Sequence, residues 1–195
     1  GEALDSINAP VEHPGDIERA HPDFALMCDR TGIGSRNRAT SWFYTSDDRC
    51  RSWKGPYDLP DFGYDHVAAR TDYLPVASGE CLLFLTVMDG PPIAAREGVS
   101  GSEIPHSSVI CVRTDDWGRS FERVGTVCEG AIMPASVRLD DGRLLTAVRH
   151  DRIDLHASDD GGATWEPLAT PVADTGSGGN PPTLTHLVDG RLCLT

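Results

Sequence analysis

The feature that most constrains how this chain can fold is an octapeptide that occurs three times. It reads Ser-Asp-Asp-Gly-Gly-Ala-Thr-Trp at 158–165, Thr-Asp-Asp-Trp-Gly-Arg-Ser-Phe at 114–121 and Ser-Asp-Asp-Arg-Cys-Arg-Ser-Trp at 46–53. In each copy a hydroxyl residue and an Asp can accept backbone N–H groups in a tight turn, and a Gly can adopt a positive φ. We expect the closing aromatic residue to pack into a core. Three copies indicate an internal repeat.

The first copy differs from the other two at one position. Cys50 stands where the other copies have Gly118 and Gly162. Because a side chain disfavours a positive φ, we expect this copy either to be strained or to use a slightly different turn.

A second marker, a hairpin with Gly in its turn, alternates with the octapeptides. Asp-Gly turns join apolar-rich runs within 135–148 and 183–194, and a looser version surrounds Gly79. Such turns between apolar runs are typical of β-hairpins. The alternation predicts four-stranded antiparallel blades, in which the Gly turn joins strands A and B and the octapeptide joins strands C and D.

The spacing of the repeats predicts a β-propeller. Asp48, Asp116 and Asp160 are 68 and 44 residues apart, and propeller blades take about 40–50 residues. A Gly/Pro/Ser-rich insertion between Met88 and Ser107, expected to be a long B–C loop, explains the longer interval. Six blades would need roughly 250 residues or more, so we expect 1–195 to be one partial propeller domain of about three and a half blades.

Strand edges and composition add further expectations. Residues 1–20 show no periodicity and are expected to be irregular, and the open edges of a partial propeller favour pairing with the remaining blades or with a second chain.

The formal charge of −13 argues against nucleic-acid binding. No apolar run approaches the ~20 residues of a membrane span. Cys28, Cys81, Cys111 and Cys193 lie in strand-like apolar runs, so we predict that they are buried free thiols. The six Cys contain no C-x-x-C pair, and we predict neither a metal nor a cofactor.

The octapeptides resemble the Asp-box, or BNR, repeats of sialidases and related glycan-active β-propellers. The resemblance implies a six-bladed propeller and an exo-glycoside hydrolase that releases a terminal acidic sugar, such as sialic acid, from a glycan. In that family three Arg hold the substrate carboxylate, an Asp is the general acid–base, and a Tyr activated by a Glu is the nucleophile. The Tyr and Glu belong to later blades and are not carried over to this chain, so we expect residues 1–195 alone to be inactive.

Two alternatives remain open at this point. One keeps the fold but changes the reaction, to a lyase or hydrolase of another uronate-containing glycan. The other is a propeller that binds glycans or partners without catalysis.

Blade topology restricts where a site can lie. The octapeptides and Gly turns should occupy one end of the blades, the turn end, and the B–C loops and D–A crossings the other, the loop end, where ligand-binding loops are expected. Guanidinium groups can hold a carboxylate by paired hydrogen bonds. The candidates at the loop end are Arg30, Arg36, Arg38, Arg70, Arg149 and Arg152 for substrate binding, and Asp23 and Asp65 as general acid. We favour Arg30 or Arg36, with Arg70 and Arg149, because they come from different blades.

Overall fold

The protein is described from a computed structural model over residues 9–14, 23–31, 38–77, 80–91, 106–116, 118–176 and 179–195. These residues form thirteen β-strands and no helix. The tip of the looser Gly turn, most of the predicted B–C insertion and most of the predicted irregular segment lie outside the described residues. The prediction of an all-β chain is confirmed.

The strands form four antiparallel sheets, here called blades 1 to 4. Blade 1 contains β1 (Ala25–Arg30), β2 (Ser41–Ser46) and β3 (Lys54–Asp58). Blade 2 contains β4 (His66–Ala77), β5 (Glu80–Met88), β6 (Ser107–Thr114) and β7 (Glu122–Glu129). Blade 3 contains β8 (Ile132–Arg138), β9 (Leu144–Arg149), β10 (Ile153–Ser158) and β11 (Glu166–Val172). Blade 4 contains β12 (Leu184–His186) and β13 (Leu192–Leu194).

Within each blade, every strand pairs with the next strand along the chain, as the alternation of the two markers predicted. The octapeptides join β2 to β3, β6 to β7 and β10 to β11. The Asp-Gly turns join β8 to β9 and β12 to β13, where Gly142 and Gly190 adopt φ values of 93° and 82°. The two kinds of turn therefore share one end of the blades, and the longer connections share the other.

The three octapeptides form the same hydrogen-bonded turn. In the third copy the Asp160 carboxylate accepts from Ser158 Oγ at 2.9 Å, from Thr164 N at 2.9 Å and from Thr164 Oγ1 at 2.6 Å. The hydrogen bond from the Thr164 side chain is the largest of the effects that lower the Asp160 pKa to about 2. In the first copy Arg49 and Cys50 adopt φ values of 60° and 62°. The chain thus keeps the common turn at the cost of backbone strain.

The closing aromatic residues of the octapeptides connect adjacent blades. Phe121 of blade 2 packs edge-on against Phe43 of blade 1, with 5.6 Å between ring centroids. Trp165 of blade 3 packs in the same way against Phe84 of blade 2 at 6.0 Å. Trp53 belongs to blade 1, and the described residues contain no blade before blade 1 against which it could pack. It is 36% exposed. The expected core role therefore holds for the second and third copies.

Most of the remaining core also lies between blades. Phe43 and Leu83 are central to the cluster between blades 1 and 2, and Phe84 to the one between blades 2 and 3. All six Cys are free thiols, and Cys50 and Cys193 are exposed. The predicted burial of Cys193 is wrong, because it lies in the short sheet of blade 4. In the described ranges, no helix has the length and apolar character needed to cross a membrane.

Candidate functional site

A cleft of about 640 Å³ opens where the first strands of successive blades meet near the loop end. We call it the inner cleft. Its lining comes from all four blades and includes Arg30, Arg70, Asp72, Met133, Ser136 and Thr183. The cleft therefore depends on how the blades are arranged around one another, rather than on any single loop.

Two β-bulges shape the wall of the inner cleft. On β4, residues 70–72 oppose only Phe84 of β5, because the register shifts between Ala69 and Tyr73. On β8 the register shifts between Ile132 and Ala135, and Met133 adopts a φ of 57°. Side chains alternate between faces along a regular strand, whereas a bulge redirects them. Arg70 and Asp72, which are two residues apart, line the cleft together with the adjacent Ala69, which a regular strand would place on the opposite face.

Arg30 and Arg70 bring two positive charges into the inner cleft from blades 1 and 2. Burial lowers the pKa of Arg30, and the neighbouring charge of Arg70 lowers it further, while Asp29 acts in the opposite direction. The Asp29 carboxylate also accepts a hydrogen bond from the Arg30 backbone N–H at 2.8 Å. No ion pair joins either guanidinium to a carboxylate of the described residues.

Arg149 supplies a third guanidinium from blade 3, although it is not among the residues that line the inner cleft. It is only 6% exposed, and its Nη1 donates to the carbonyl of Gly179 at 2.6 Å. Its buried Nε has no hydrogen-bond partner among the described residues. Burial lowers the pKa of Arg149, and the charge of Arg70 lowers it as well. Arg70 therefore interacts electrostatically with both Arg30 and Arg149, and we call these three residues the Arg cluster.

Two other predicted residues, Arg38 and Asp65, instead organise the crossing between blades 1 and 2. Arg38 donates from Nε to the Asp65 carbonyl at 2.7 Å and from Nη2 to the Asp61 carboxylate at 2.8 Å. The Asp65 carboxylate accepts from Gly90 N at 2.8 Å. His66 is buried beside them, and both of its ring nitrogens bond to backbone groups. None of these side chains lines the inner cleft.

The remaining predicted residues are separated from the Arg cluster. Arg152 bonds to Asp154 at 2.9 Å and lines a different cleft, on the outer part of blade 3. The placement of Asp23 at the loop end is wrong, because β1 begins beside Ser46 at the turn end and Asp23 pairs there with Arg49 at 2.6 Å. At ~3.3 Å per residue, the six-residue strand separates Asp23 from Arg30 by roughly 20 Å. Arg36 lies outside the described residues.

Sequence reasoning missed Asp72, a partly buried acid in the wall of the inner cleft. Its carboxylate accepts from Ser136 N at 3.0 Å and from Ser136 Oγ at 2.8 Å, so it links blade 2 to blade 3. Burial raises its pKa to about 6, while the hydrogen bonds from Ser136 act against this increase. The only signal in the sequence was an Asp within a strand-like run.

Among the described residues, no group of three or more His, Cys, Asp or Glu side chains could hold a metal ion. The functional side chains that line the inner cleft are two guanidiniums, two carboxyls, a thiol and two hydroxyls: Arg30, Arg70, Asp29, Asp72, Cys28, Ser136 and Thr183. Such a set can bind an anion and transfer a proton.

Comparisons with known proteins gave structural matches only. No family model matches the chain, and no curated protein matches its sequence. Many solved structures match it in fold.

Three of these structures illustrate the likeness. A Dyadobacter fermentans protein of unknown function has a TM-score of 0.63 and 19% identity, over 89% of this chain and 53% of that protein. The Hadza microbial sialidase Hz136 has a TM-score of 0.62 and 13% identity, over 91% of this chain and 40% of the sialidase. A Penicillium chrysogenum alpha-L-arabinanase complexed with arabinobiose has a TM-score of 0.57 and 10% identity, over 94% and 56% of the two chains.

The chain thus spans about half or less of the length of the first two of these structures. At identities of 10–19% the likeness concerns the fold. The chain has the sialidase-like β-propeller fold that is also found in an arabinanase.

Proposed function

We propose that the protein acts as an exo-glycoside hydrolase of the sialidase type, which releases a terminal acidic sugar, such as sialic acid, from a glycan. The observation that carries this proposal is the Arg cluster. The guanidinium of Arg70 interacts electrostatically with those of Arg30 and Arg149 on the two neighbouring blades, and none of the three forms an ion pair with a described carboxylate. Like charges brought together in this way are stabilised by an anionic ligand.

The positive charges of the Arg cluster contrast with the overall negative charge of the chain. With a net charge of −13, the protein does not attract anions through its general field. An anion would instead be held by local contacts, and the fork of N–H donors on each guanidinium suits a carboxylate. An acidic sugar at the end of a glycan carries this group, and the sialidase and arabinanase with the same fold act on sugars by their printed names.

Binding measurements on single-residue variants test the proposal. Arg70→Ala and Arg149→Ala should each raise the Kd for N-acetylneuraminic acid on the order of 10- to 100-fold, as expected for the loss of a hydrogen-bonded charge pair. Arg143→Ala is the matched control, because Arg143 lies at the turn end and bonds to Asp159 and Glu166. Its Kd should equal that of the wild type.

Hydrolysis of a fluorogenic sialoside completes the test, and it is measured on the complete propeller, whose later blades are expected to supply the Tyr and the Glu. Sialoside binding that is unchanged in both Arg70→Ala and Arg149→Ala would remove the Arg cluster from the site. Binding of methyl glucuronide in preference to N-acetylneuraminic acid would shift the substrate to another uronate-containing glycan. Binding without turnover would identify a glycan-binding propeller.

A further inference from the structure

Another cavity, of about 310 Å³, lies at the loop end of blade 1, beside the crossing to blade 2. We call it the blade-1 pocket, and it shares no lining residue with the inner cleft. Its volume is at the small end of the range for ligand pockets, roughly 300–1,000 Å³, which suits a ligand the size of a single sugar unit. The polar side chains of its lining are Arg38, Thr40, Ser41, Trp42, Asp58 and Asp61.

The register of β2 places Trp42 beside Asp58 in this pocket. The next residue, Phe43, belongs to the core between blades 1 and 2. Because successive side chains of a strand point to opposite faces, Trp42 lies on the other face of blade 1. Asp58 of β3 pairs directly with Trp42 and therefore shares this face. The sheet thus presents an indole and a carboxylate side by side.

The indole N–H of Trp42 is a buried donor that has no acceptor among the described residues. The Trp42 side chain is only 7% exposed. A buried Trp N–H usually has a hydrogen-bond partner, as Trp165 does, whose Nε1 donates to the Gly162 carbonyl at 2.9 Å. Leaving such a donor without an acceptor costs free energy. A ligand that brings an acceptor to Trp42 therefore gains binding free energy.

The rim of the blade-1 pocket adds a hydroxyl and a carboxylate. Thr40 and Asp58 are both exposed, so their side chains are accessible to a ligand. Arg38 is held in place by Nη2, which donates to the Asp61 carboxylate at 2.8 Å, and by Nε, which donates to the Asp65 carbonyl at 2.7 Å. The pocket therefore combines a fixed wall with groups that both donate and accept hydrogen bonds.

The charges around the blade-1 pocket favour a neutral ligand. The charge of Arg38 is offset by its ion pair with Asp61, whereas Asp58 adds a further negative charge. An anion would be repelled by Asp58 and by the net charge of −13. An ammonium group has no acceptor for the N–H of Trp42. A hydroxyl group meets both needs, because it can accept from Trp42 and donate to Asp58.

We propose that the blade-1 pocket binds a neutral sugar unit of a glycan. One sugar hydroxyl accepts from Trp42 Nε1, and another donates to the Asp58 carboxylate. Pro10 and Leu59, which also line the pocket, contact the C–H groups of the sugar ring. This site needs no residue of the inner cleft, so it does not depend on the proposed function. Arg38 then has a place in sugar binding, but in a pocket separate from that of Arg70.

An NMR titration with galactose, glucose and mannose tests whether Trp42 gains an acceptor. The indole N–H resonance of Trp42 is identified by its loss in Trp42→Phe. It should shift when at least one of these sugars is added at millimolar concentration. The Trp165 resonance is the internal control and should not move, because its Nε1 already donates to Gly162. No shift of the Trp42 resonance with any of these sugars would show that the pocket holds water only and would overturn the inference.

Two variants measure the contribution of each hydrogen bond to the Kd of the sugar that binds. Trp42→Phe keeps an aromatic ring but removes the donor, and should raise the Kd on the order of 10-fold. Asp58→Asn keeps the shape of an exposed side chain but removes its charge, and should raise the Kd several-fold. Trp53→Phe, at the turn end of the same blade, is the matched control and should bind like the wild type. Wild-type affinity in either Trp42→Phe or Asp58→Asn would overturn the inference.

Arg70→Ala separates this inference from the proposed function. It should leave the affinity for the neutral sugar unchanged, because Arg70 lies in the inner cleft. A loss of neutral-sugar binding in Arg70→Ala equal to that in Trp42→Phe would place the sugar in the inner cleft and overturn the inference. Conversely, neutral-sugar binding as predicted, without any binding of N-acetylneuraminic acid, would refute the proposed function and support the blade-1 pocket.

Discussion

Replacing Asp72 by asparagine should change how the stability of the protein depends on pH. The Asp72 pKa is raised from 3.8 to about 6 by burial, so the folded state binds the proton more tightly than the unfolded state. Stability from this group is therefore greatest below about pH 4, falls as the pH rises through 4 to 6, and is constant above that range. An amide at this position does not ionise and removes this dependence.

The magnitude follows from the size of the change in pKa. A pKa difference of one corresponds to about 1.36 kcal/mol, so the change from 3.8 to about 6 amounts to about 3 kcal/mol. The amide side chain in Asp72→Asn can still accept from Ser136 N and can donate to Ser136 Oγ, so the packing should be preserved. Relative to the wild type, Asp72→Asn should therefore become more stable by about 2 kcal/mol between pH 4 and pH 8, since the unfolded carboxyl is already partly ionised at pH 4.

Urea unfolding at pH 4 and pH 8 measures this difference directly. Asp189→Asn serves as the control, because hydrogen bonds from Arg191 lower the pKa of Asp189 and place its titration below about pH 4. Its stability relative to the wild type should therefore be nearly the same at pH 4 and pH 8. If the difference between Asp72→Asn and the wild type is the same at both pH values, burial does not control the ionisation of Asp72, and the reasoning is refuted.

Three further predictions concern the turns and the contacts between blades, and urea unfolding measures each of them. Gly125→Ala should cost about 1–3 kcal/mol, because its Cβ would lie 2.4 Å from the Gly162 carbonyl oxygen, and a cost below about 0.3 kcal/mol would contradict this contact. Cys50→Gly should stabilise the protein by about 0.5–1 kcal/mol by removing the strain at φ 62°, whereas a loss of stability would show that the Cys side chain contributes more than the strain costs. Trp165→Ala should cost about 2–4 kcal/mol because it removes the contact with Phe84. The matched variant Trp53→Ala should cost less than about 1 kcal/mol because Trp53 is partly exposed, and equal costs would argue against the interblade role.

The turns and strands could be predicted because their causes are local. Each octapeptide closes its own turn, as the hydrogen bonds from Ser158 and Thr164 to Asp160 show. The alternation of octapeptides with Asp-Gly turns then gave the order of the strands and the two ends of each blade. Arg30 and Arg70 could be selected because they were assigned to the loop end of different blades.

The composition of the site could be predicted only in part. Arg38 and Arg152 have the same residue type and were assigned to the same end as Arg70, but local partners hold them elsewhere. Asp23 was misplaced because the direction of the chain into β1 depends on its pairing with β2. Asp72 was missed because nothing in the sequence marks a bulge whose register is set by β5.

The sequence by itself determined the all-β class, the blade repeat and the end of the blades where the loops gather, because hydrogen-bonded turns and strand alternation act over a few residues. The tertiary structure decided which charged side chains meet. Arg30, Arg70 and Arg149 are far apart in the chain, and only the packing between blades through Phe43, Phe84 and their partners brings them together. The same packing removes Asp72 from water and gives it a chemistry that its residue type alone does not specify.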